Sequence, residues 1–163
     1  FFRYNVKKGQ EDATLGEELE AVDNYIYILN VRFAGDIHFN KDVDESLENV
    51  RVPSMILQPV VENAVNHGIR DIEWEGKIHL TVTGDADYIR ISVKDNGKGM
   101  TPEQIESVLS GNKEHCNEQR DSTGIGMNNV ISRLELYYEE PGLVEINSDG
   151  ENKGTEVVIY IPV

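Results

Sequence analysis

The stretch LQPVVENAVNHGI, residues 57–69, combines an apolar helical face with amide, carboxylate and imidazole side chains. At about 100° per residue, one side of this helix carries Leu57, Val60, Val61, Ala64 and Val65. The opposite side carries Gln58, Glu62, Asn63, Asn66 and His67. Asparagine is a poor helix former, and Asn63 and His67 lie one turn apart at the edge of the apolar side. The polar residues are therefore either a solvent-exposed face or part of a binding site, and the stretch alone leaves both open.

The surrounding sequence, VPSMILQPVVENAVNHGI, predicts one helix of about four turns around this stretch. Pro53 suits the first turn, where its missing N–H costs no hydrogen bond, and Gly68 suits the C-terminal end. Pro59 lies inside the pattern. It should therefore either kink the helix or mark the point where the helix begins.

A second helix is predicted at residues 14–34, TLGEELEAVDNYIYILNVRFA. Thr14 followed by Glu17 is a capping box, in which each side chain accepts a hydrogen bond from the other residue's backbone N–H. An apolar stripe recurs every three or four residues at Leu15, Leu19, Val22, Ile26, Leu29 and Phe33. The stripe either packs on the domain's own core or forms a seam for a partner helix.

Alternating apolar residues and turn-forming pairs predict the remaining elements. Strands are predicted at residues 36–43, 77–85, 88–97, 143–149 and 154–163, and further helices at residues 101–110 and 124–138. The strands at 77–85 and 88–97 should form a hairpin. About five strands and four helices in mixed order predict an α+β fold, a two-layer sandwich with helices on one face of a largely antiparallel sheet.

The composition excludes several classes of function. The chain of 163 residues has 30 acidic and 15 basic residues and a formal net charge of -15, which disfavours binding to nucleic acid or anionic lipid. Its single cysteine, Cys116, supports neither a disulfide framework nor a cysteine zinc site. No apolar run approaches the roughly 20 residues that span a bilayer. The chain begins FFRYNVKK without a methionine, so we expect a piece of a longer protein.

The segment VKDNGKGM, residues 93–100, is a second candidate for chemistry. Asp95 ends an apolar strand, and Gly97 and Gly99 follow it at alternate positions. One reading is a plain turn, because Asp-Asn-Gly is a strong turn former. The other reading is a ligand site. Glycines would let the backbone approach a flat ligand, and the aspartate would accept a hydrogen bond from an amine on it.

Glycines open a third candidate segment, GIGMNNV, residues 124–130. Glycines entering a helix form an anion site, since free N–H groups and the positive end of the helix dipole face the ligand. A dinucleotide-binding fingerprint is excluded because Asn129 occupies the third glycine position and no strand precedes the segment. A Walker A loop is excluded because no Gly-Lys-Ser/Thr occurs. The pair Gly154-Thr155, before the last strand, is by itself only a turn.

The order of these segments resembles the ATP-binding domain of the histidine kinase, gyrase, Hsp90 and MutL superfamily. Three segments, LQPVVENAVNHGI, VKDNGKGM and GIGMNNVISRLELYY, resemble the N, G1 and G2 boxes of sensor histidine kinases of the LytS/YesM type. The segment TLGEELEAVDNYIYILNVRF resembles the region that precedes the ATP domain in that branch. The resemblance covers nearly the whole chain and implies the two-layer α/β sandwich of the Bergerat type.

The resemblance implies a role for each polar position. Asn63 matches the asparagine that coordinates the Mg²⁺ bridging the ATP phosphates, and neighbouring Glu62 would support it. His67 matches the residue whose ring lies near the nucleotide. Asp95 matches the carboxylate that accepts from the adenine amine, which favours adenine over guanine because guanine carries a carbonyl there.

The resemblance also assigns the glycine-rich positions. Gly97 and Gly99 would shape the adenine pocket, residues 101–123 would form the ATP lid, and Thr155 would lie at the pocket floor. The backbone N–H groups offered to the phosphates would be those of Gly124, Ile125, Gly126 and Met127. Residues 36–163 would be the catalytic domain. Residues 1–35 would lead from a dimerisation and phosphoacceptor region outside the chain.

Three positions depart from the family pattern. Asn66, counted with the ATP-binding residues, stands where many relatives carry a Lys or Arg that touches the terminal phosphate, and this weakens the case for γ-phosphate recognition. Met127 replaces a common leucine. Pro59 stands where the superfamily's ATPases place a glutamate base, so we expect slow hydrolysis at most.

None of His38, His67, His79 and His115 has the context of the family's acceptor histidine, so we expect no catalytic residue in this chain. The resemblance implies transfer of the ATP γ-phosphate to a histidine upstream, with ATP and Mg²⁺ as cofactors. It implies a homodimeric, membrane-anchored parent that has this domain in the bacterial cytoplasm and a response regulator as its partner. The alternatives are an anti-sigma-factor-like serine kinase and a non-catalytic nucleotide-binding module of the same fold.

Overall fold

A computed structural model describes residues 12–32, 37–70, 72–110 and 122–163 of the chain. Its main sheet contains β2 (Ile37–Val43), β4 (Gly76–Gly84), β5 (Tyr88–Asp95), β6 (Val144–Asn147) and β7 (Thr155–Pro162). The spatial order is β2-β4-β5-β7-β6. Strands β2 and β4 are parallel, and all other neighbours are antiparallel. The predicted hairpin is confirmed as β4–β5.

A second, two-stranded sheet was not predicted from the sequence. It pairs β1 (Asp12–Thr14) with β3 (Arg51–Pro53) in antiparallel register. Each strand is only three residues long. The pairing holds the chain before the first helix against the chain that leads into the LQPVVENAVNHGI stretch.

The helices are α1 (Leu15–Arg32), α2 (Leu57–Asn63), α3 (Pro102–Ser110) and α4 (Ser122–Tyr138). Helix α1 begins with the predicted capping box: the Thr14 N–H donates to Glu17 Oε1 at 3.0 Å, and the Glu17 N–H donates to Thr14 Oγ1 at 3.2 Å. Thr101 and Gln104 repeat the arrangement before α3. Among the described residues, no helix combines the length and the apolar character needed to cross a bilayer.

One core lies between the sheet and the helices. Its buried apolar side chains alternate along β4, at Ile78, Leu80 and Val82, and along β5, at Ile89, Ile91 and Val93. Apolar side chains of α1, α2 and α4 belong to the same cluster. This arrangement confirms the predicted α+β fold with a mixed, mostly antiparallel sheet.

Helix α1 belongs to that core as well. Four members of its apolar stripe are buried there: Leu15, Leu19, Val22 and Ile26. Leu29 packs at the edge of the cluster, and Phe33 lies outside the described residues. Of the two interpretations of the stripe, the structure supports packing on the domain's own core. The division of the chain at residue 35 stays a prediction about the parent protein.

For the helix around LQPVVENAVNHGI, the start predicted at Pro53 is wrong, and the alternative that Pro59 marks its beginning is confirmed. Pro53 ends strand β3, and α2 begins at Leu57, so Pro59 lies in its first turn. A proline in the first turn causes no kink, because its missing N–H would have no partner within the helix. The helix changes form later, where residues Ala64–Ile69 continue it as a π-helix. Such wide turns are rare and frequently occur at functional sites.

Candidate functional site

The end of the π-helix touches the loop after β5, and glycines make this contact possible. A Cβ placed on Gly68 would lie 2.7 Å from Asp95 Cγ, and a Cβ on Gly97 would lie 1.9 Å from the Gly68 oxygen. The Lys98 N–H donates to that same Gly68 oxygen at 2.9 Å. The structure therefore joins the first two candidate segments directly, which spacing along the sequence did not reveal.

The Asp95 carboxyl group is buried at the end of β5, with 7% of the residue exposed. Burial raises its pKa to about 6, although backbone N–H groups of Gly97 and Thr155 counteract the shift. The Gly97 bond, 2.9 Å long, uses Oδ1. A carboxylate has capacity to accept several hydrogen bonds, so Asp95 can also accept from a ligand amine.

The loop after Asp95 is joined to the turn between β6 and β7. The Gly154 N–H donates to the Gly97 oxygen at 3.1 Å, and the Asn152 N–H donates to the Lys98 oxygen at 2.7 Å. Gly99 has a φ of 74°, and a Cβ there would lie 2.1 Å from the Gly150 oxygen. Gly97 and Gly99 are therefore required by the packing of the protein's own backbone, a reason that the sequence did not reveal.

Thr155 lies beside Asp95 across the sheet. The two residues are register partners at the ends of β7 and β5, and Thr155 is 7% exposed. The residue before it must be glycine, because a Cβ on Gly154 would lie 2.1 Å from the backbone oxygen of Asp95. The Gly-Thr pair that looked like a simple turn is thus part of the wall around Asp95.

Asn63 lies at the last position of α2, where the helix changes to the π form. Its Oδ1 is buried and has no hydrogen-bond partner among the described residues. A buried carbonyl oxygen without a hydrogen-bond partner costs free energy. Coordination of that oxygen to a hard cation would remove the cost. This atom fits the role of a Mg²⁺ ligand.

The neighbours of Asn63 are also placed for binding. Asn66 and His67 follow on the π-helix, and both are half-buried. Glu62 accepts from Gln58 Nε2 at 3.0 Å. Within the described part of the chain, no three His, Cys, Asp or Glu side chains are grouped to hold a metal. A cation here would complete its shell with phosphate and water, as Mg²⁺ does in nucleotide sites.

Helix α4 packs against α2 and brings the third candidate segment beside the first. It begins at Ser122, two residues before the predicted start at Gly124. Gly124 and Ile125 therefore lie in the first turn, where backbone N–H groups lack partners within the helix. A Cβ on Gly126 would meet no described atom within 4 Å, whereas the Met127 side chain is buried in the core.

The predicted lid is only partly described. Residues 101–110 contain helix α3, and residues 111–121 lie outside the described part of the chain. Gly97 and Thr155 thus lie against the buried Asp95 carboxylate, and Gly99 packs on the neighbouring turn at Gly150. The helix that carries Asn63, Asn66 and His67 ends against the same carboxylate at Gly68.

Comparison with known proteins identifies the family of the chain. The family model described as histidine kinase-, DNA gyrase B-, and HSP90-like ATPase matches residues 51–163. Sensor histidine kinase YpdA of Escherichia coli is 34% identical over 99% of this chain and 27% of its own length. Sensor histidine kinase YesM of Bacillus subtilis is 30% identical over 98% and 26%. The chain thus spans about a quarter of these relatives.

Solved structures show the same fold. The nucleotide-free catalytic domain of histidine kinase ThkA has a TM-score of 0.68 at 22% identity, covering 94% of this chain and 95% of that one. The mycobacterial sensor histidine kinase MprB has a TM-score of 0.66 at 17% identity, covering 94% and 97%. These likenesses confirm the fold.

Proposed function

Because the chain belongs to the family of histidine kinase-, DNA gyrase B- and HSP90-like ATPases, we propose that it is the ATP-binding catalytic domain of a sensor histidine kinase. Its task is to bind Mg²⁺ and ATP and to present the γ-phosphate to a histidine outside the chain. The observation that carries this proposal is the contact of Gly68 with Asp95. It puts a buried carboxylate at the end of the helix that bears Asn63.

Each residue has a task set by its chemistry. The Asp95 carboxylate accepts from the exocyclic amine of adenine and faces guanine's carbonyl unfavourably, since two acceptors cannot share a hydrogen bond. Asn63 Oδ1, which has no hydrogen-bond partner among the described residues, would provide one ligand to Mg²⁺, and the phosphates would supply others. Mg²⁺ would neutralise charge that develops on the transferred phosphate. The first turn of α4 offers N–H groups to the phosphates.

Phosphotransfer needs a second component. His38 and His79 lie at exposed positions of β2 and β4, and His67 belongs to the nucleotide site. His115 lies outside the described residues. We assign the acceptor to another part of the parent protein, which we propose to be a membrane-anchored homodimer. A structure of ThkA in complex with response regulator protein TrrA supports a response regulator as the next phosphate acceptor.

Titration calorimetry tests the nucleotide site. ADP and a non-hydrolysable ATP analogue should bind to the chain, and Mg²⁺ should strengthen binding. Asn63→Ala should remove the gain from Mg²⁺ while leaving Mg²⁺-free binding, because Asp95 remains. Asn24→Ala is the matched control, since Asn24 is an exposed helix asparagine on α1. Absence of binding at millimolar ADP would contradict the proposal.

A further inference from the structure

Helix α2 begins without a cap of its own. Its N-cap residue is Ile56, and no side chain at that position accepts from the helix N–H groups. Free N–H groups at a helix start need an acceptor, and Ser, Thr, Asp or Asn usually supplies one from within the chain segment. The acceptor here comes from a different helix.

Glu18 of α1 supplies it. The residue is buried, with 6% exposed, inside the core that α1 shares with α2. Its Oε1 accepts from the Ile56 N–H at 2.9 Å and from the Leu57 N–H at 3.2 Å, and its Oε2 accepts from the Met55 N–H at 3.1 Å. A negative charge at this end of a helix also interacts favourably with the helix dipole.

Arg133 of α4 donates hydrogen bonds to backbone carbonyl groups of the same segment. Its Nη1 donates to the Ser54 oxygen at 2.9 Å and to the Met55 oxygen at 3.4 Å. Met55 has a φ of 61°, a left-handed conformation that costs free energy for a residue with a side chain and persists when its surroundings fix it. Opposite charges on α1 and α4 thus fix residues 54–57, which we name the joint.

The joint and Gly68 fix the two ends of one continuous helix. Leu57 begins it at the joint, and Gly68 near its end is fixed to the loop of Asp95. Asn63 lies between them, about 9 Å along the axis from Leu57 at 1.5 Å per residue. We therefore expect a loosened joint to shift Asn63, which lies on this helix, more than Asp95, which lies on the sheet.

We propose that Glu18 is a positioning residue for Asn63, through which α1 controls the Mg²⁺ and phosphate end of the site. The inference rests on the proposed function. It predicts that loosening the joint weakens the part of nucleotide affinity that depends on Mg²⁺ and spares the part that depends on adenine. If Glu18 contributed to stability alone, its substitution would lower the unfolding temperature. It would not weaken Mg²⁺-dependent nucleotide affinity more than Mg²⁺-free affinity.

The test compares Glu18→Gln with Glu20→Gln in the 163-residue chain. Glu20 is an exposed glutamate on the same helix, two residues away. ADP affinity is measured with and without Mg²⁺, well below the unfolding temperature of each variant. We expect Glu18→Gln to reduce the gain from Mg²⁺ by about 10-fold or more, the scale of lost support to a metal ligand. Mg²⁺-free affinity should stay within about two-fold, and Glu20→Gln should match the wild type.

An unchanged Mg²⁺ gain in folded Glu18→Gln would overturn the inference, and so would an equal loss with and without Mg²⁺. If Glu18→Gln does not fold, Arg133→Gln decides by the same measurement, because it loosens the joint from the partly exposed side. Arg133→Lys, which keeps a cationic donor, should recover most of the gain. If the wild-type chain binds no ADP, that result would instead contradict the proposed function itself.

Discussion

Gly68 and Asp95 are in direct contact across two different motifs. A Cβ on Gly68 would lie 2.7 Å from Asp95 Cγ and 2.8 Å from each carboxylate oxygen. The helix that carries the proposed Mg²⁺ ligand is therefore seated against the proposed adenine acceptor. The contact leaves no space for any side chain at position 68.

Gly68→Ala should damage nucleotide binding more than stability. The added methyl group must push the Asp95 carboxylate away, and overpacking of this kind costs about 1–3 kcal/mol. We expect the variant to fold with a lower unfolding temperature and to lose most of its ADP affinity. Thermal unfolding and calorimetry measure the two effects. Wild-type ADP affinity in this variant would show that Asp95 can shift without loss of function.

Asp95→Asn should weaken ADP binding by about 1.5–3 kcal/mol, the scale of a hydrogen bond to a charged group. The amide can also turn its NH₂ toward a guanine carbonyl, so the preference for ADP over GDP should narrow. Calorimetry with both nucleotides measures the change. Asp85→Asn is the control, because Asp85 lies in the exposed turn between β4 and β5. An unchanged preference would limit Asp95 to a structural role.

ADP affinity should fall as the pH drops through about 6. Burial raises the pKa of Asp95 to about 6, and the adenine amine needs the ionised carboxylate as its acceptor. Below this pH the free protein holds a proton that binding must displace, which costs up to about ten-fold in affinity per pH unit. Affinity ratios of wild type to Asp95→Asn, measured between about pH 5 and 8, cancel the titration of the nucleotide itself. A constant ratio would contradict the assignment.

The raised pKa of Asp95 also makes stability depend on pH, but in the direction opposite to ADP affinity. Stability should increase as the pH falls. Because the folded pKa of Asp95, about 6, lies above the ordinary aspartate value of 3.8, the folded chain binds more protons than the unfolded chain between these two values. The contribution of Asp95 to stability is therefore neutral below about pH 4, becomes increasingly destabilising between about pH 4 and pH 6, and is constant above that range. Asp95→Asn should flatten this part of the stability profile, as measured by urea unfolding.

Gly126→Ala should stabilise the free chain and weaken nucleotide binding. Position 126 lies within α4, where alanine is favoured over glycine by about 1 kcal/mol, and a Cβ there would meet no described atom within 4 Å. Urea unfolding should show the gain in stability. Loss of ADP affinity would support the proposed approach of phosphate to this backbone, and unchanged affinity would remove Gly126 from the site.

At position 55, a glycine variant should be more stable than an alanine variant, although alanine is usually the more stabilising of the two residues. Met55→Ala and Met55→Gly both remove the long side chain, but only glycine relieves the left-handed φ of 61°. We expect the glycine variant to be the more stable of the two by about 1 kcal/mol in urea unfolding. Greater stability of the alanine variant would show that the joint imposes no strain.

Local chemistry explains which elements were predictable. The capping boxes at Thr14 and Thr101 involve residues three apart, and the β4–β5 hairpin follows from adjacent alternating segments. The apolar stripe of α1 was visible, although its partner was not, since periodicity identifies a buried face without naming what covers it. For the same reason, Asp95 could be identified at a strand end before Gly68 was known to touch it.

Contacts between distant residues explain what the sequence missed. The start of α2 at Leu57 is held by Glu18, which precedes it by 39 residues, and the sequence marked this start locally only through Pro59. Strands β1 and β3 are too short to show alternation and form only against each other. The glycines at 97 and 99 suggested an approach to a ligand. The structure shows that they accommodate the protein's own backbone.

The family model matches the chain from Arg51 onward, but the contacts that hold this part of the fold begin earlier in the chain. Strand β3 pairs with β1, the Leu15 N–H donates to the Val50 oxygen, and Glu18 caps α2. A polypeptide cut at Arg51 would also lose β2 and leave the edge of β4 open, a template for self-association. A polypeptide that is to keep these contacts must therefore include residues 12–50 as well as the residues that the family model matches.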